Sequence, residues 1–207
     1  AAQGFASYVS LGLTWTDCHV EKLSTHFNGN VRAGSHTNIA FMPCLSADVS
    51  VVNSSAKDII GCRDDCHGVS MFICADVSVI NFTADNVVDG PPPYYMGAKA
   101  TGAEIYAWNA KVENCQVSNI YGYNPQDLQI AGCSAAGSNI TFTNCKASQC
   151  KVLDNQSQPS TAKGNGLGFG WAPDGRPFLS TLAASHVTYT NCVAEDCQVG
   201  FDTWFHI

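Results

Sequence analysis

The sequence predicts an all-β protein, a parallel β-helix (solenoid) of about six coils with loop insertions at its turns. Three observations predict this fold: a strand motif that recurs and ends at asparagine, a set of regularly spaced glycines, and an unusual composition. Of the 207 residues, 13% are charged, 18 are glycine and 11 are cysteine. This composition fits neither a disordered chain nor a bundle of charged helices.

The first repeat is an alternating strand that ends at Asn or Asp. Its clearest copies span residues 47–53, 75–81 and 138–144. The terminal column consists of Asp17, Asn53, Asn81, Asn114, Asn144 and Asn191. Because equal positions of neighbouring coils stack ~4.8 Å apart, the column predicts a ladder of side-chain amides inside a turn.

Small or apolar residues follow this column at fixed distances, as buried positions should. The column one residue further on is Cys18, Ser54, Phe82, Cys115, Cys145 and Cys192. The column three residues on is Val20, Ala56, Ala84, Val117, Ala147 and Ala194. The column six residues on is Leu23, Ile59, Val87, Ile120, Cys150 and Cys197. We interpret the cysteines as small core fillers, although neighbouring coils also lie within the Cα range of a disulfide. Cys62, Cys66 and His67 come nearest to a metal-ligand spacing, and no metal is expected.

Glycine supplies the second marker. It stands at Gly4, Gly34, Gly68, Gly102, Gly132, Gly166 and Gly200, and each opens another alternating strand. Odd offsets from these glycines are expected to face inward and even offsets outward. Offset two then holds Ala6, His36, Ser70, Glu104, Ser134, Gly168 and Asp202.

Charge and hydropathy exclude two kinds of partner. The chain has 10 Lys+Arg against 17 Asp+Glu and no cationic cluster, so no nucleic acid is expected. No apolar run approaches the ~20 residues of a membrane helix, so no membrane is expected either. Residues 1–207 are predicted to form one domain of a longer chain. Its two end coils have no cap, and we expect flanking domains or the other subunits of a homotrimer to cover them.

The repeats resemble the right-handed parallel β-helix (pectin lyase-like) superfamily, which includes polysaccharide lyases, polygalacturonases, epimerases and phage tailspike depolymerases. Arg63-Asp64-Asp65-Cys66, followed by a strand and then residues 77–81, resembles the Asp-Asp-Cys segment of polygalacturonases. The polygalacturonase Asn-Thr-Asp, Gly-His-Gly and Arg-Ile-Lys segments have no counterpart. The resemblance implies a right-handed coil and an activity on polysaccharides. No cofactor is expected.

Two clusters of charged residues are candidate catalytic groups, because glycoside cleavage needs carboxyl groups on the same or neighbouring coils. The first is Asp64, Asp65, Lys99 and Glu104. The second, near the last two coils, is Asp174, Asp196, Asp202 and His206. The alternative for each acid is a turn residue that caps backbone N–H groups.

Aromatic residues on the outward face and in the insertions are candidate sugar platforms, because sugar rings stack on aromatic rings. The candidate substrate-binding residues are His36, Phe72, Tyr94, Tyr95, Tyr106, Trp108 and Trp204. The alternative is a face that a neighbouring chain or loop covers.

The sequence thus predicts a carbohydrate-active β-helix that binds and cleaves an extracellular polysaccharide by hydrolysis or elimination. A noncatalytic structural or adhesive β-helix is the alternative. Asn-x-Ser/Thr sequons at Asn53 and Asn81 coincide with the expected amide ladder, where a glycan would not fit. We therefore expect a bacterial or viral origin and an extracellular or virion-associated location.

Overall fold

A computed structural model describes residues 2–24, 37–61, 65–90, 99–123, 129–153, 166–170 and 184–202. Within these ranges the regular structure is β-strand throughout. The strands are β1 (Ala2–Tyr8), β2 (Leu11–Thr16), β3 (His19–Ser24), β4 (Asn38–Cys44), β5 (Ala47–Val52), β6 (Ser55–Gly61), β7 (Asp65–Ile80), β8 (Thr83–Asp89), β9 (Lys99–Glu113), β10 (Gln116–Gly122), β11 (Gln129–Thr143), β12 (Lys146–Val152), β13 (Gly166–Gly170), β14 (Ala184–Thr190), β15 (Val193–Glu195) and β16 (Val199–Asp202).

The strands stack in parallel, coil upon coil. One sheet has the order β1-β4-β7-β9-β11-β13-β16, and a second has the order β15-β12-β10-β8-β6-β3. The long strands β7, β9 and β11 each bend onto a further face, where their second halves continue the pairing that β2 and β5 begin and β14 extends. Parallel strands that pair one coil apart make a β-solenoid, which confirms the predicted fold class.

The chain turns between faces at non-glycine residues with positive φ, and these residues recur at the same place in each coil. Besides the predicted column, they include Asp48, Asp76, Asn109, Asn139 and His186 on one corner and Asp58, Asn86, Asn119, Gln149 and Asp196 on another. Asn and Asp tolerate the left-handed region better than most residues, because their short polar side chains hydrogen-bond locally. The abundance of Asn in this sequence therefore has a backbone cause.

The predicted amide ladder is present. Asn81 Nδ2 donates to Asn53 Oδ1 at 2.9 Å, and Asn114 Nδ2 donates to Asn81 Oδ1 at 3.0 Å. Asn144 and Asn191 continue it at 3.5 and 3.3 Å. Each side-chain amide hydrogen-bonds to the amide on the neighbouring coil, while the backbone of the same residue adopts the left-handed conformation of the turn.

The predicted inward columns form the core between the sheets. Cysteine fills it as expected, with Cys115, Cys145 and Cys150 each at most 1% exposed. The ten described cysteines, all but Cys62, are free thiols. Phenylalanines pack between coils, for example Phe5 stacked on Phe41 with ring centroids 5.2 Å apart. No helix among the described residues is long and apolar enough to cross a membrane.

The predicted glycine column is wrong at two coils. The strand register places Ala40, rather than Gly34, beside Gly68. It also places Gly168, rather than Gly166, beside Gly132. Insertions of different length precede these strands, so sequence spacing alone does not preserve the register. Glycine is nonetheless needed for close packing at Gly4, Gly68, Gly102 and Gly132: a Cβ on Gly102, for example, would lie 2.7 Å from Val117 Cβ.

The outward columns change accordingly. Met42, rather than His36, lies beside Ser70, and Gly170, rather than Gly168, lies between Ser134 and Asp202. Further along, the register shifts between Phe72 and Cys74, because Ile73 is an extra residue in β7. Trp108 therefore pairs with Ala75 instead of Cys74.

Candidate functional site

Buried polar side chains concentrate on the outer face where β7, β9 and β11 begin. They are His67, Ser70, Lys99, Thr101, Glu104 and Ser134, each at most 3% exposed. Their neighbours in sequence, such as Val69, Ala103 and Cys133, belong to the hydrophobic core. Because side chains alternate along a strand, the polar set faces away from that core. We call this set the polar cluster.

Glu104 lies at the centre of the polar cluster. Lys99 Nζ donates a hydrogen bond to Glu104 Oε1, and Ser70 Oγ donates one to Oε2. His67 Nε2 lies 3.7 Å from Oε2. Burial raises the pKa of Glu104, but the nearby His67 and Lys99 and the two hydrogen bonds outweigh this effect and lower the pKa to about 2. Glu104 is therefore a carboxylate at any working pH.

Lys99 is the matching cation. Burial lowers its pKa, yet the neighbouring Glu104, Tyr106 and Asp65 raise it well above its usual range. Its ammonium lies 5.0 Å from the centroid of the Tyr106 ring. Its backbone N–H donates to Asp89 Oδ2 at 3.0 Å, which ties the start of β9 to the end of β8. Lys99 thus keeps its positive charge in a site almost closed to water.

Asp65 links the polar cluster to the surface. It pairs in register with Lys99 on the next coil. Unlike Glu104, Asp65 is half-buried, so part of it contacts solvent. The structure therefore brings together three of the predicted catalytic residues, Asp65, Lys99 and Glu104.

Two hydroxyl groups of the polar cluster have no hydrogen-bond partner among the described residues. They are Thr101 Oγ1 and Ser134 Oγ. Thr101 neighbours His67 in the register, and Ser134 neighbours Glu104. Burying a hydroxyl without a partner is costly, so both groups are candidates for a hydrogen bond to water or to a ligand hydroxyl.

The aromatic candidates differ in exposure. Tyr106 was expected on an open face, but it is 2% exposed, because it packs edge-on against Phe72, with ring centroids 6.0 Å apart, and against Lys99. Phe72 is half-buried. Trp108 is 39% exposed, as predicted for a surface platform.

Trp108 also borders an apolar groove of about 410 Å³ on the corner formed by the first coils. Val9, Leu11 and Leu45 contribute exposed apolar side chains to it. Ser10 and Ser46 are its two polar residues, and Ser46 already bonds to the backbone of Ser10 and Cys44. The groove therefore offers little hydrogen bonding.

Of the second predicted catalytic cluster, Asp196 and Asp202 lie within the described residues, and Asp196 sits at a left-handed corner where Lys151 Nζ donates to its Oδ2 at 2.7 Å. Asp202 is half-buried and continues the outward column of Glu104, Ser134 and Gly170. Three coil steps of ~4.8 Å separate it from Glu104, roughly 14 Å in all. Asp64, Asp174, His206, His36, Tyr94, Tyr95 and Trp204 lie outside the described residues.

The sequence analysis did not connect His67 with Glu104, and it missed Thr101 and Asp89. The signal was present in the repeat: His67 and Thr101 each stand immediately before a column glycine. Among the described residues, no group of three or more metal-ligating side chains is arranged to hold a metal ion. The Cys66 thiol donates to the Ile59 carbonyl at 2.9 Å, and Cys62 lies outside the described residues.

No protein-family model and no curated protein matches this chain. Among solved structures, it is similar to a polygalacturonase from Erwinia carotovora ssp. carotovora, at 12% sequence identity and a TM-score of 0.30. The match covers 99% of this chain and 57% of that enzyme, so this chain spans little more than half its length. The assignment of the fold class therefore rests on the strand pairing itself.

Proposed function

We propose that this chain is a carbohydrate-active β-helix that binds an extracellular polysaccharide over the outer face of β7, β9 and β11 and cleaves it beside Asp65. The observation that supports this most is the position of the polar cluster. A solenoid is stabilised by its apolar core, and a buried ion pair adds little to stability because desolvation offsets its attraction. Charges held in fixed geometry on an outer face, with strongly shifted pKa values, are more typical of a functional site.

In this proposal Asp65 is the catalytic carboxyl group, because it is the described carboxyl of the site that reaches solvent. Asp64, the preceding residue in the sequence, lies outside the described residues, so its part in the site stays a prediction. Lys99 and Glu104 are positioning residues: Glu104 holds the Lys99 ammonium, and Lys99 lies beside Asp65. Glu104 does not act as a proton donor, since its pKa of about 2 keeps it ionised.

Thr101 and Ser134 support a ligand rich in hydroxyl groups. Their own hydroxyls lack partners among the described residues and lie next to His67 and Glu104. Phe72, half-buried above Tyr106, offers an aromatic edge close by. Sugar rings combine apolar faces with hydroxyl groups and therefore suit such a surface. Such a protein would act outside the cell or on a virion.

The experiment compares Asp65→Asn with Asp76→Asn on a panel of acidic polysaccharides. Asp76 is an exposed acid at a left-handed corner where Asn109 occupies the next coil, so Asn fits there. Loss of a general acid or base lowers the rate by about 10² to 10⁴-fold, and we expect this for Asp65→Asn alone. New reducing ends without absorbance of unsaturated ends indicate hydrolysis, and both together indicate elimination. Equal activity of the two variants would contradict the role of Asp65.

The apolar groove favours one second candidate, a structural or adhesive β-helix that packs against protein. Val9, Leu11 and Leu45 are 77%, 82% and 54% exposed, which is unusual for a cluster of aliphatic side chains. This candidate predicts a concentration-dependent homo-oligomer, such as a trimer, that Leu11→Ser dissociates in sedimentation velocity. A wild-type monomer that cleaves polysaccharide would exclude it.

A further inference from the structure

A buried carboxyl group lies where the chain leaves β8 and re-enters the sheet as β9. Asp89, the last residue of β8, is fully buried. Its Oδ2 accepts the backbone N–H of Lys99, the first residue of β9, at 3.0 Å. The carboxyl group therefore joins the two ends of the segment 90–98, and it holds the strand end that carries the cation of the polar cluster.

The repeat itself does not require an acid at this position. The equal positions on the neighbouring coils are occupied by Gly61, Gly122 and Val152. Burying a carboxyl group is costly, so an acid in a column of small and apolar residues needs a local cause. The coil that contains Asp89 is the one that leads into β9, and the hydrogen bond to Lys99 is such a cause.

Asp89 also borders the start of β7. A Cβ on Gly61 would lie 3.1 Å from Asp89 Oδ1 and 3.4 Å from Cys66 Cβ. Glycine at position 61 therefore leaves room for the Asp89 carboxyl group near Cys66. Cys66 directly follows Asp65 in β7. One buried carboxyl group thus lies beside the first residues of both strands that supply Asp65 and Lys99.

We propose that Asp89 is a positioning residue of the proposed site: by holding the backbone N–H of Lys99, it keeps the Lys99 ammonium against Glu104 and beside Asp65. Strand ends open more easily than strand interiors, and Lys99 is the first residue of its strand. Without the hydrogen bond this end of β9 frays and the ammonium loses its fixed place. The effect on catalysis rests on the proposed function, whereas the effect on the polar cluster does not.

The first test follows the Glu104 carboxyl group by ¹³C NMR while the pH is lowered, and it needs no enzymatic activity. In the wild type the pKa should be about 2. Asp89→Ala should raise it by about one unit or more, because a cation held close to a carboxyl group lowers its pKa by about 1 to 3 units. Asp89→Asn keeps an oxygen acceptor for the Lys99 N–H and should titrate like the wild type.

Asn114→Ala is the control for a general loss of stability, because it changes a left-handed turn at the far end of β9. It should leave the pKa of Glu104 unchanged. An unchanged pKa in Asp89→Ala would overturn the proposal. So would an equal rise in Asp89→Asn, or in Asn114→Ala.

The second test measures cleavage of a polysaccharide that the wild type turns over, at a temperature where circular dichroism shows each variant folded. Asp89→Ala should lower kcat by roughly 10 to 10²-fold, because a small displacement of a site residue is costly. KM should change little, since the outer face that binds the substrate remains, and Asp89→Asn should restore kcat. An unchanged kcat in Asp89→Ala would overturn the catalytic part of the proposal. A folded wild type without turnover would contradict the proposed function, and the NMR titration still decides whether Asp89 positions Lys99.

Discussion

The Lys99 ammonium contacts the Glu104 carboxylate while both side chains are 4% exposed, on the outer face of the solenoid rather than in its core. This pair connects the fold with the proposed site. β9 supplies both residues, and the preceding coil supplies the Ser70 hydroxyl and the His67 ring that complete the surroundings of Glu104.

Removing one member of this pair should cost far more stability than removing both. Lys99→Met or Glu104→Leu leaves an uncompensated buried charge, and each should lower the free energy of unfolding by about 3 to 5 kcal/mol. The double variant replaces the pair by apolar side chains and should cost less than either single change. Urea unfolding measures all three, and additive losses would contradict the coupling.

The stability of the protein should fall in acid because of Glu104. Its pKa is about 2 in the folded chain against an ordinary value of 4.5, so folding favours the ionised form. The resulting stabilisation is complete above about pH 5 and is lost as the pH falls towards 2, by about 3 kcal/mol. Glu104→Gln should lack this part of the pH dependence in unfolding curves between pH 5 and 2. Parallel curves for the two proteins would show that the carboxylate is not held as described.

The close contact at Gly102 should not tolerate a methyl group. A Cβ there would lie 2.7 Å from Val117 Cβ and 2.8 Å from the Gly132 carbonyl oxygen. Overpacking of this kind costs about 1 to 3 kcal/mol, so Gly102→Ala should lower the urea midpoint. Gly200→Ala is the matched control, because its Cβ would meet Ala194 at an ordinary 3.6 Å. A similar loss in both variants would argue against this packing.

The asparagine ladder should depend on backbone conformation as well as on hydrogen bonds. Asn114 has φ +52 and donates to Asn81 at 3.0 Å. Asn114→Gly loses the amide but adopts this φ freely, whereas Asn114→Ala loses the amide and adds roughly 1 to 2 kcal/mol of left-handed strain. Alanine should therefore destabilise more than glycine in thermal unfolding. The reverse order would mean that position 114 does not need a positive φ.

Much of the fold could be predicted from the sequence, because each coil of a solenoid is formed by one consecutive segment of the chain. The Asn column and the Cys150 and Cys197 column were recovered because they follow one another within a short, uninterrupted segment. Gly34 and Gly166 were misassigned because insertions of unequal length precede the strands that carry them. Only strand pairing settles the register there.

The candidate site was harder to predict. Glu104 and Tyr106 were placed on the correct face, since alternation along a strand needs no knowledge of neighbouring coils. Their burial could not be foreseen, because it depends on Lys99, Ser70 and Phe72 packing over them from the same and the neighbouring coil. The link between His67 and Glu104 joins two neighbouring coils, and the spacing of residues within one coil does not reveal such a contact.

The most direct measurement of the central claim is the release of oligosaccharides from acidic polysaccharides by the wild-type chain, followed by both reducing ends and ultraviolet absorbance. The proposed function predicts turnover of at least one polysaccharide, lost in Asp65→Asn and retained in Asp76→Asn. No turnover of any of them by a folded wild-type protein would contradict the claim that this β-helix cleaves polysaccharide.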